Sequence, residues 1–151
     1  MQIRRADFLD LPEILALEES SFPVPWSIEI LYHDICLAGY DYYLIKEAGV
    51  AVGYAGMDII VDEAHIRKIC VREDMRKKGY GSILLQRLMK EAYQKGAIGM
   101  TLEVRVSNAP AIAFYEKYGF QIEGIRKKYY ADKEDANIMW NRNLAEMTYD
   151  D

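Results

Sequence analysis

Cysteine is scarce in this sequence. Cys36 and Cys70 are the only two, too few for a disulfide scaffold and too far apart for a metal-binding motif. Histidine is as rare, and His33 and His65 form no recognisable metal pair or catalytic triad. No apolar run reaches the ~18 residues of a membrane span. The opening residues, Met1-Gln2-Ile3-Arg4-Arg5-Ala6-Asp7, lead into no apolar stretch of signal-peptide type. Repeats, low-complexity tracts and long linkers are absent. These absences make a cytoplasmic protein without metal or membrane partner the expectation.

What is present is 151 residues, 51% hydrophobic and 28% charged. That suits a single domain over 1–151 with a sizeable core, and excludes disorder and a coiled coil. The net charge of −5 disfavours nucleic acid as the main partner. The average conceals an asymmetry. Residues 65–90 hold eight cations (Arg67, Lys68, Arg72, Arg76, Lys77, Lys78, Arg87, Lys90) against two anions, Glu73 and Asp74. A local +6 in an acidic chain points to a localised anionic ligand or to a solvated charge run.

The apolar pattern predicts a strand over 3–6. A helix is expected from a capping box at Asp10 and Glu13, with Leu11, Ile14 and Leu15 on its inner face. Phe22-Pro23-Val24-Pro25-Trp26 breaks that helix, and Ser27 can cap a second one to about Leu37. Strands are expected over 40–46, 52–61 and 64–71, with turns at Ala48-Gly49 and Asp62-Glu63. Residues 79–95 read as a helix with Ile83, Leu84, Leu88 and Ala92 inward and Gly96 as its stop. A strictly alternating strand over 100–106, a helix over 108–118 and a closing strand pair over 120–130 and 134–143 complete the pattern. Strands consecutive early and helix-linked later imply an α/β (α+β) fold, a mixed sheet flanked by helices.

Arg76-Lys77-Lys78-Gly79-Tyr80-Gly81 links a strand to a helix. A helix N-terminus carries roughly +0.5 charge and unpaired N–H groups, so three cations there are a local conflict. An anion held by the backbone would resolve it, and Gly79 and Gly81 would let a phosphate approach closely. A mononucleotide P-loop is absent, and a dinucleotide fingerprint fails because position 84 is Leu84.

This Arg-x-x-Gly-x-Gly loop resembles the pyrophosphate loop of the GNAT acetyltransferase superfamily, and the resemblance extends over nearly the whole chain. Within the superfamily the sequence is most similar to the ribosomal-protein-alanine N-acetyltransferases. Four stretches carry the narrower resemblance: Phe22-Pro23-Val24-Pro25-Trp26-Ser27, Asp62-Glu63-Ala64-His65-Ile66, Leu102-Glu103-Val104-Arg105-Val106-Ser107-Asn108, and Arg126-Lys127-Lys128-Tyr129-Tyr130. The chain departs from close relatives at Lys68 and Cys70, where Asn and Ala are common.

The resemblance implies a GNAT fold with a mixed, mostly antiparallel sheet. It implies acetyl-CoA as donor and the N-terminal alanine of a ribosomal protein as acceptor. Main-chain groups of Ile69, Cys70 and Val71 would run beside the pantetheine. The amides of Lys77, Lys78, Gly79, Tyr80, Gly81 and Ser82, introduced by Arg76, would hold the pyrophosphate, and Asn108 would contact the cofactor. Glu103 matches the family's general base and Tyr115 its general acid. The alternatives are a lysine side chain or small-molecule amine as acceptor, or a non-catalytic acyl-CoA sensor.

The residues themselves permit these roles. Alternation puts Glu103 with Thr101 and Arg105 on the polar face of its strand, where a surface Glu103–Arg105 pair is the plainer reading. Tyr115 lies seven positions after Asn108, at nearly the same helical bearing. An α-amine is roughly 10–15% neutral at pH 7 and a lysine ~0.04%, a gap of about 3.5 kcal/mol that makes an N-terminus the easier acceptor. A buried strand thiol such as Cys70 is usually inert. His65 reads as structural or substrate-adjacent. Trp26, Tyr129 and Tyr130 read either as packing or as walls of an acceptor groove.

Overall fold

The computed structural model describes residues 1–149, and the expected domain, 1–151, runs two residues past them. Among the described residues seven strands and four α-helices follow the chain order β1 (Gln2–Arg5), α1 (Leu11–Ser21), α2 (Ile28–Tyr32), β2 (Asp41–Glu47), β3 (Val50–Ile60), β4 (Glu63–Val71), α3 (Tyr80–Gln94), β5 (Gly99–Arg105), α4 (Ala109–Lys117), β6 (Gln121–Arg126) and β7 (Ala136–Asn141). Hydrogen bonding orders the strands β1-β2-β3-β4-β5-β7-β6. The pairs β1/β2, β2/β3, β5/β7 and β6/β7 are antiparallel, and β4/β5 is parallel. The mixed, mostly antiparallel sheet with flanking helices is the expected fold class. Among the described residues no helix is long and apolar enough to cross a membrane.

The chain divides into two compact units: residues 1–58 with 66–91, and residues 59–65 with the chain from Ala92 onward. In the first, α1 buries Leu11, Ile14 and Leu17, three residues apart, against Tyr42, Leu44, Tyr54 and Cys70. Helix α3 buries Leu84, Leu85, Leu88 and Met89 there, while Ile83, expected inward, is only partly covered; Ala92, with which the second unit resumes, is buried as expected. Each buried Leu, Ile or Met side chain contributes roughly 1.5–3 kcal/mol.

Two fully buried carboxylates organise the polar interior of this unit. Glu18 accepts from the Tyr54 hydroxyl, from Trp26 N (2.8 Å) and from Lys68 Nζ (2.9 Å). Asp34 accepts from the Tyr42 hydroxyl (2.6 Å) and Arg67 Nε (2.7 Å), with His33 Nδ1 at 3.0 Å. Arg67 and Lys68 are successive, yet both lie against the Trp26 ring, at 5.8 and 4.1 Å.

In the second unit β5 alternates as its sequence predicts: Met100, Leu102 and Val104 are buried, and Thr101, Glu103 and Arg105 are half-buried. Phe120, Ala136, Met139 and Leu144 complete this core.

Four local expectations are corrected. The capping box sits three residues early. Asp7 accepts from Leu9 N (2.9 Å) and Asp10 from Asp7 N (2.8 Å), because Asp10 is drawn to Arg4 by two bonds of 2.7 and 2.8 Å. Glu13 instead meets Lys46 Nζ at 3.0 Å. The second helix does not continue to Leu37 in α form. Residues His33–Leu37 widen into a π-turn, which leaves Asp34 in the interior. Strand β3 stops at Ile60 because Val61 turns left-handed (φ 56°). The closing strands are shorter than expected, since Lys128 (φ 51°) and Lys133 (φ 74°) turn the chain between them.

Two predictions follow from this packing. A Cβ on Gly56 would fall inside the van der Waals surface of the Tyr42 ring. Gly56→Ala is therefore expected to cost about 1–3 kcal/mol, read as a lower urea midpoint. Burial works to raise the Asp34 pKa, but the bonds from Tyr42, His33 and Arg67 outweigh it and hold the carboxyl below its ordinary value. The stability it contributes is complete above the unfolded pKa of ~3.9 and is lost as pH falls through the lower folded value. Asp34→Asn should flatten the loss of stability measured by urea unfolding between pH 4 and 2, and an unchanged slope would contradict this.

Candidate active site

The basic loop lies in the first unit. Its backbone hydrogen bonding stops at Arg76 N, which donates to Glu73 O (3.3 Å), and resumes at Ile83 N, which donates to Gly79 O (3.1 Å). Among the described residues, the six intervening amides, Lys77 through Ser82, take no backbone acceptor. Lys77 (φ 63°) and Gly79 (φ 91°) are both left-handed. That alternation turns successive N–H groups to one side, the geometry of an anion-binding nest. Nothing lies within 4 Å of where a Gly79 Cβ would stand, so the approach is open. The Tyr80 side chain is engaged by Glu47, leaving its amide as its contribution to the loop.

Two of the eight cations are neutralised from outside the segment: Arg67 is paired with Asp34 (2.7 Å) and Lys68 with Glu18 (2.9 Å), while Arg72 is held by Asp74 (2.6 Å), an anion already within the local count. The cations at the nest are Arg76, Lys77 and Lys78. Arg76 Nε donates to Val71 O (3.0 Å), tying the loop to the end of β4. Ile69 and Val71 are half-buried there, whereas Cys70 is buried. Burial pushes the Cys70 thiol up, and its Sγ faces Leu17 O at 3.9 Å. A protonated, enclosed thiol is no nucleophile. These residues fit a diphosphate and its extended arm: the loop amides lack backbone acceptors, cations flank them and the space over Gly79 is open.

Glu103 lies in the second unit, with its side chain only 10% exposed. Its Oε2 meets His65 Nε2 at 2.7 Å, and its Oε1 accepts from Arg126 Nε at 3.3 Å. Burial works to raise its pKa. The bond and charge of His65, together with Arg126, outweigh that and hold the carboxyl below its ordinary range. The plainer alternative, a Glu103–Arg105 pair, is not what Arg105 makes. Arg105 instead binds Asp132 (2.8 Å) and Glu134 (2.9 Å) and stacks over Tyr130 at 4.1 Å.

Tyr115 packs edge-on against Phe114 and Phe120, with ring centroids 5.2 and 5.8 Å away. Burial of its hydroxyl, and then the proximity of Tyr130, push its phenol up to about 12. Tyr130 is likewise raised to about 12 by burial, and it senses the charge of Glu103. Tyr130 thus lies within electrostatic reach of both expected catalytic residues. Asn108 is exposed and caps α4, its Oδ1 accepting from Ala111 N at 3.2 Å. Its side-chain amide N–H groups remain to meet a cofactor.

Sequence reasoning did not connect His65 or Arg126 with Glu103. The parallel register His65↔Thr101 sets His65 beside the start of β5, two residues before Glu103. A residue's face is legible from alternation, but its neighbour across the sheet depends on strand order.

The Acetyltransferase (GNAT) family model matches residues 11–120. A Bacillus subtilis (strain 168) protein provisionally named ribosomal protein bS18-alanine N-acetyltransferase is 39% identical over 140 residues, covering 91% of this chain and 93% of that one. The ribosomal protein bS18-alanine N-acetyltransferase of Escherichia coli (strain K12) is 35% identical over 133 residues, covering 86% and 89%. The crystal structure of the ribosomal-protein-S18-alanine N-acetyltransferase from Escherichia coli superposes with a TM-score of 0.87 at 33% identity, covering 99% of each chain. With its amide nest and its matched span both in place, this chain belongs to the GNAT family of acetyltransferases.

Proposed function

We propose that this chain is a single acetyltransferase domain over 1–151. It transfers acetyl from acetyl-CoA to the N-terminal alanine of a ribosomal protein in the cytoplasm. The observation that carries the donor half is the run of six unpartnered amides beside Arg76, Lys77 and Lys78. Lys77, Lys78, Gly79, Tyr80, Gly81 and Ser82 hold the diphosphate, Ile69, Cys70 and Val71 run beside the pantetheine arm, and Asn108 contacts the cofactor through its remaining N–H groups. Support for the acceptor half comes from the two relatives named for alanine of bS18, each matched over most of its length.

Transfer is direct. The neutral amine attacks the thioester carbonyl, a C–N bond forms, the C–S bond breaks, and the thiolate leaves with the electron pair. Glu103 carries the base function. Being ionised and weakly basic, it favours an acceptor that gives up its proton readily. An α-amine at ~7.7–8.0 suits it better than a lysine at ~10.4. Tyr115 keeps its proton at neutral pH, since its phenol is raised to about 12. It serves as a hydrogen-bond donor to the departing sulfur, a modest part compared with positioning.

Intact-mass measurement after incubation with acetyl-CoA tests this. An Ala-initiated peptide should gain one acetyl group far faster than an amino-blocked lysine peptide or a polyamine. Preference for either of the latter would overturn the acceptor assignment. Glu103→Gln should lower kcat/KM by roughly 10²–10⁴-fold. Tyr115→Phe should lower kcat by about tenfold or more while leaving acetyl-CoA binding unchanged. An unaltered rate in either variant would remove that residue from the mechanism.

A further inference from the structure

We propose that the exposed apolar face formed by Phe8, Leu9 and helix α2 is a docking surface for the basic chain of the acceptor protein beyond its N-terminus. This rests on the function proposed above. Helix α2 packs inward through a single residue. Leu31 is buried, whereas Ile28 and Tyr32, one turn apart, are 38% and 40% exposed. The Phe8 ring meets the Tyr32 ring edge-on at 6.4 Å. Phe8 is itself 62% exposed, and Leu9 beside it 81%. Four large apolar side chains thus lie together at the surface of the first unit. Exposed apolar residues are ordinary when scattered singly, but a contiguous group marks a contact surface.

The charge around this face selects the partner. From Asp7 to Asp41 the sequence holds eight acidic residues and no lysine or arginine. Five of the eight are matched by cations from other segments: Asp10 by Arg4, Glu13 by Lys46, Glu18 by Lys68, Asp34 by Arg67 and Asp41 by Arg5. The other three, Asp7, Glu19 and Glu29, are exposed, and Asp7 and Glu29 directly adjoin Phe8 and Ile28 in the chain. The apolar face therefore has an acidic rim. Nucleic acid and anionic lipid are repelled by such a rim. A second copy joined across a two-fold axis would bring two acidic rims together. A segment carrying both basic and apolar side chains fits the face and its rim at once. A ribosomal protein supplies such segments, because holding RNA phosphates requires lysine and arginine.

The face is also within reach of the reaction. Helix α2 begins two residues after Trp26, whose ring lies 4.1 Å from Lys68 Nζ. Lys68 precedes Ile69, the end of the proposed pantetheine track farther from the diphosphate. Helix α2 is only ~7.5 Å long and an extended chain covers ~3.3 Å per residue, so a short stretch of acceptor beyond the reacting amine crosses it. Contacts made there are the same in the ground state and the transition state. They lower KM and leave kcat as it is.

Steady-state kinetics on ribosomal protein bS18, for whose alanine the two relatives are named, and on an Ala-initiated tetrapeptide test this. The wild type should have a KM for the protein about tenfold or more below that for the tetrapeptide, an advantage that shrinks as salt rises towards ~0.5 M. Asp7→Asn/Glu29→Lys removes the acidic rim while keeping a capping side chain at position 7. Phe8→Ser removes the ring that meets Tyr32. Each variant should raise KM for bS18 by about tenfold and leave kcat, and both constants for the tetrapeptide, unchanged. Unchanged tetrapeptide kinetics also show that the variant is folded. A wild type no better on the protein than on the tetrapeptide, variants that lose nothing on bS18, or losses equal on both acceptors overturn the inference and leave the acetyltransferase reading standing. A dimer in light scattering that both variants abolish overturns it too, because a second copy then covers the face. Failure of the wild type on both acceptors overturns the inference and the acceptor assignment together.

Discussion

Backbone N–H groups without carbonyl partners are the constraint on which the first unit is built. A helix start leaves such groups in any protein. Here two left-handed residues, Lys77 and Gly79, extend the run backwards into the loop until six amides are unpartnered. Around them stand cations that the helix dipole disfavours by about 0.3–1 kcal/mol each when exposed. Water can solvate the amides, but it cannot remove the repulsion. A diphosphate relieves both at once. The bond from Arg76 to Val71 O then has a clear use, since it fixes the nest to the strand end expected to carry the pantetheine.

The second unit poses a different electrostatic problem. Glu103 is nearly buried, which alone would make it a stronger base. Its two partners more than cancel that effect. The result is a carboxylate that stays ionised and holds a proton only weakly. Tyr115 is displaced in the opposite direction, towards keeping its proton. On the proposed reading, one group is set to stabilise positive charge and the other to offer a hydrogen bond. Such a site works best on an amine that is already partly neutral, and this is the physical reason to favour an N-terminus over a lysine side chain.

Much of this was legible in the sequence because it depends on local order. The conflict at Arg76-Lys77-Lys78 needs only the positions of a strand, a helix and two glycines. The exposure of Glu103 to a polar face needs only alternation with Leu102 and Val104, and Ser27 caps α2 as expected, accepting from Ile30 N. What was not legible depends on long-range neighbours. Arg105 leaves Glu103 for Asp132 and Glu134, residues far along the chain. Lys68 reads as part of a basic run, yet it is spent on Glu18 beneath Phe22 and Trp26. The capping box moved because Arg4, on a separate strand, competes for Asp10. The contact of His65 with Glu103 required knowing that β4 and β5 are parallel neighbours.

The amide nest is tested most directly by site-resolved hydrogen exchange of residues 77–82, with acetyl-CoA and with acetyl-pantetheine, which lacks the diphosphate. Acetyl-CoA should slow exchange across these six amides, and acetyl-pantetheine should leave them as they are in the free protein. Equal protection by both compounds, or none by either, would mean that the loop does not hold the diphosphate.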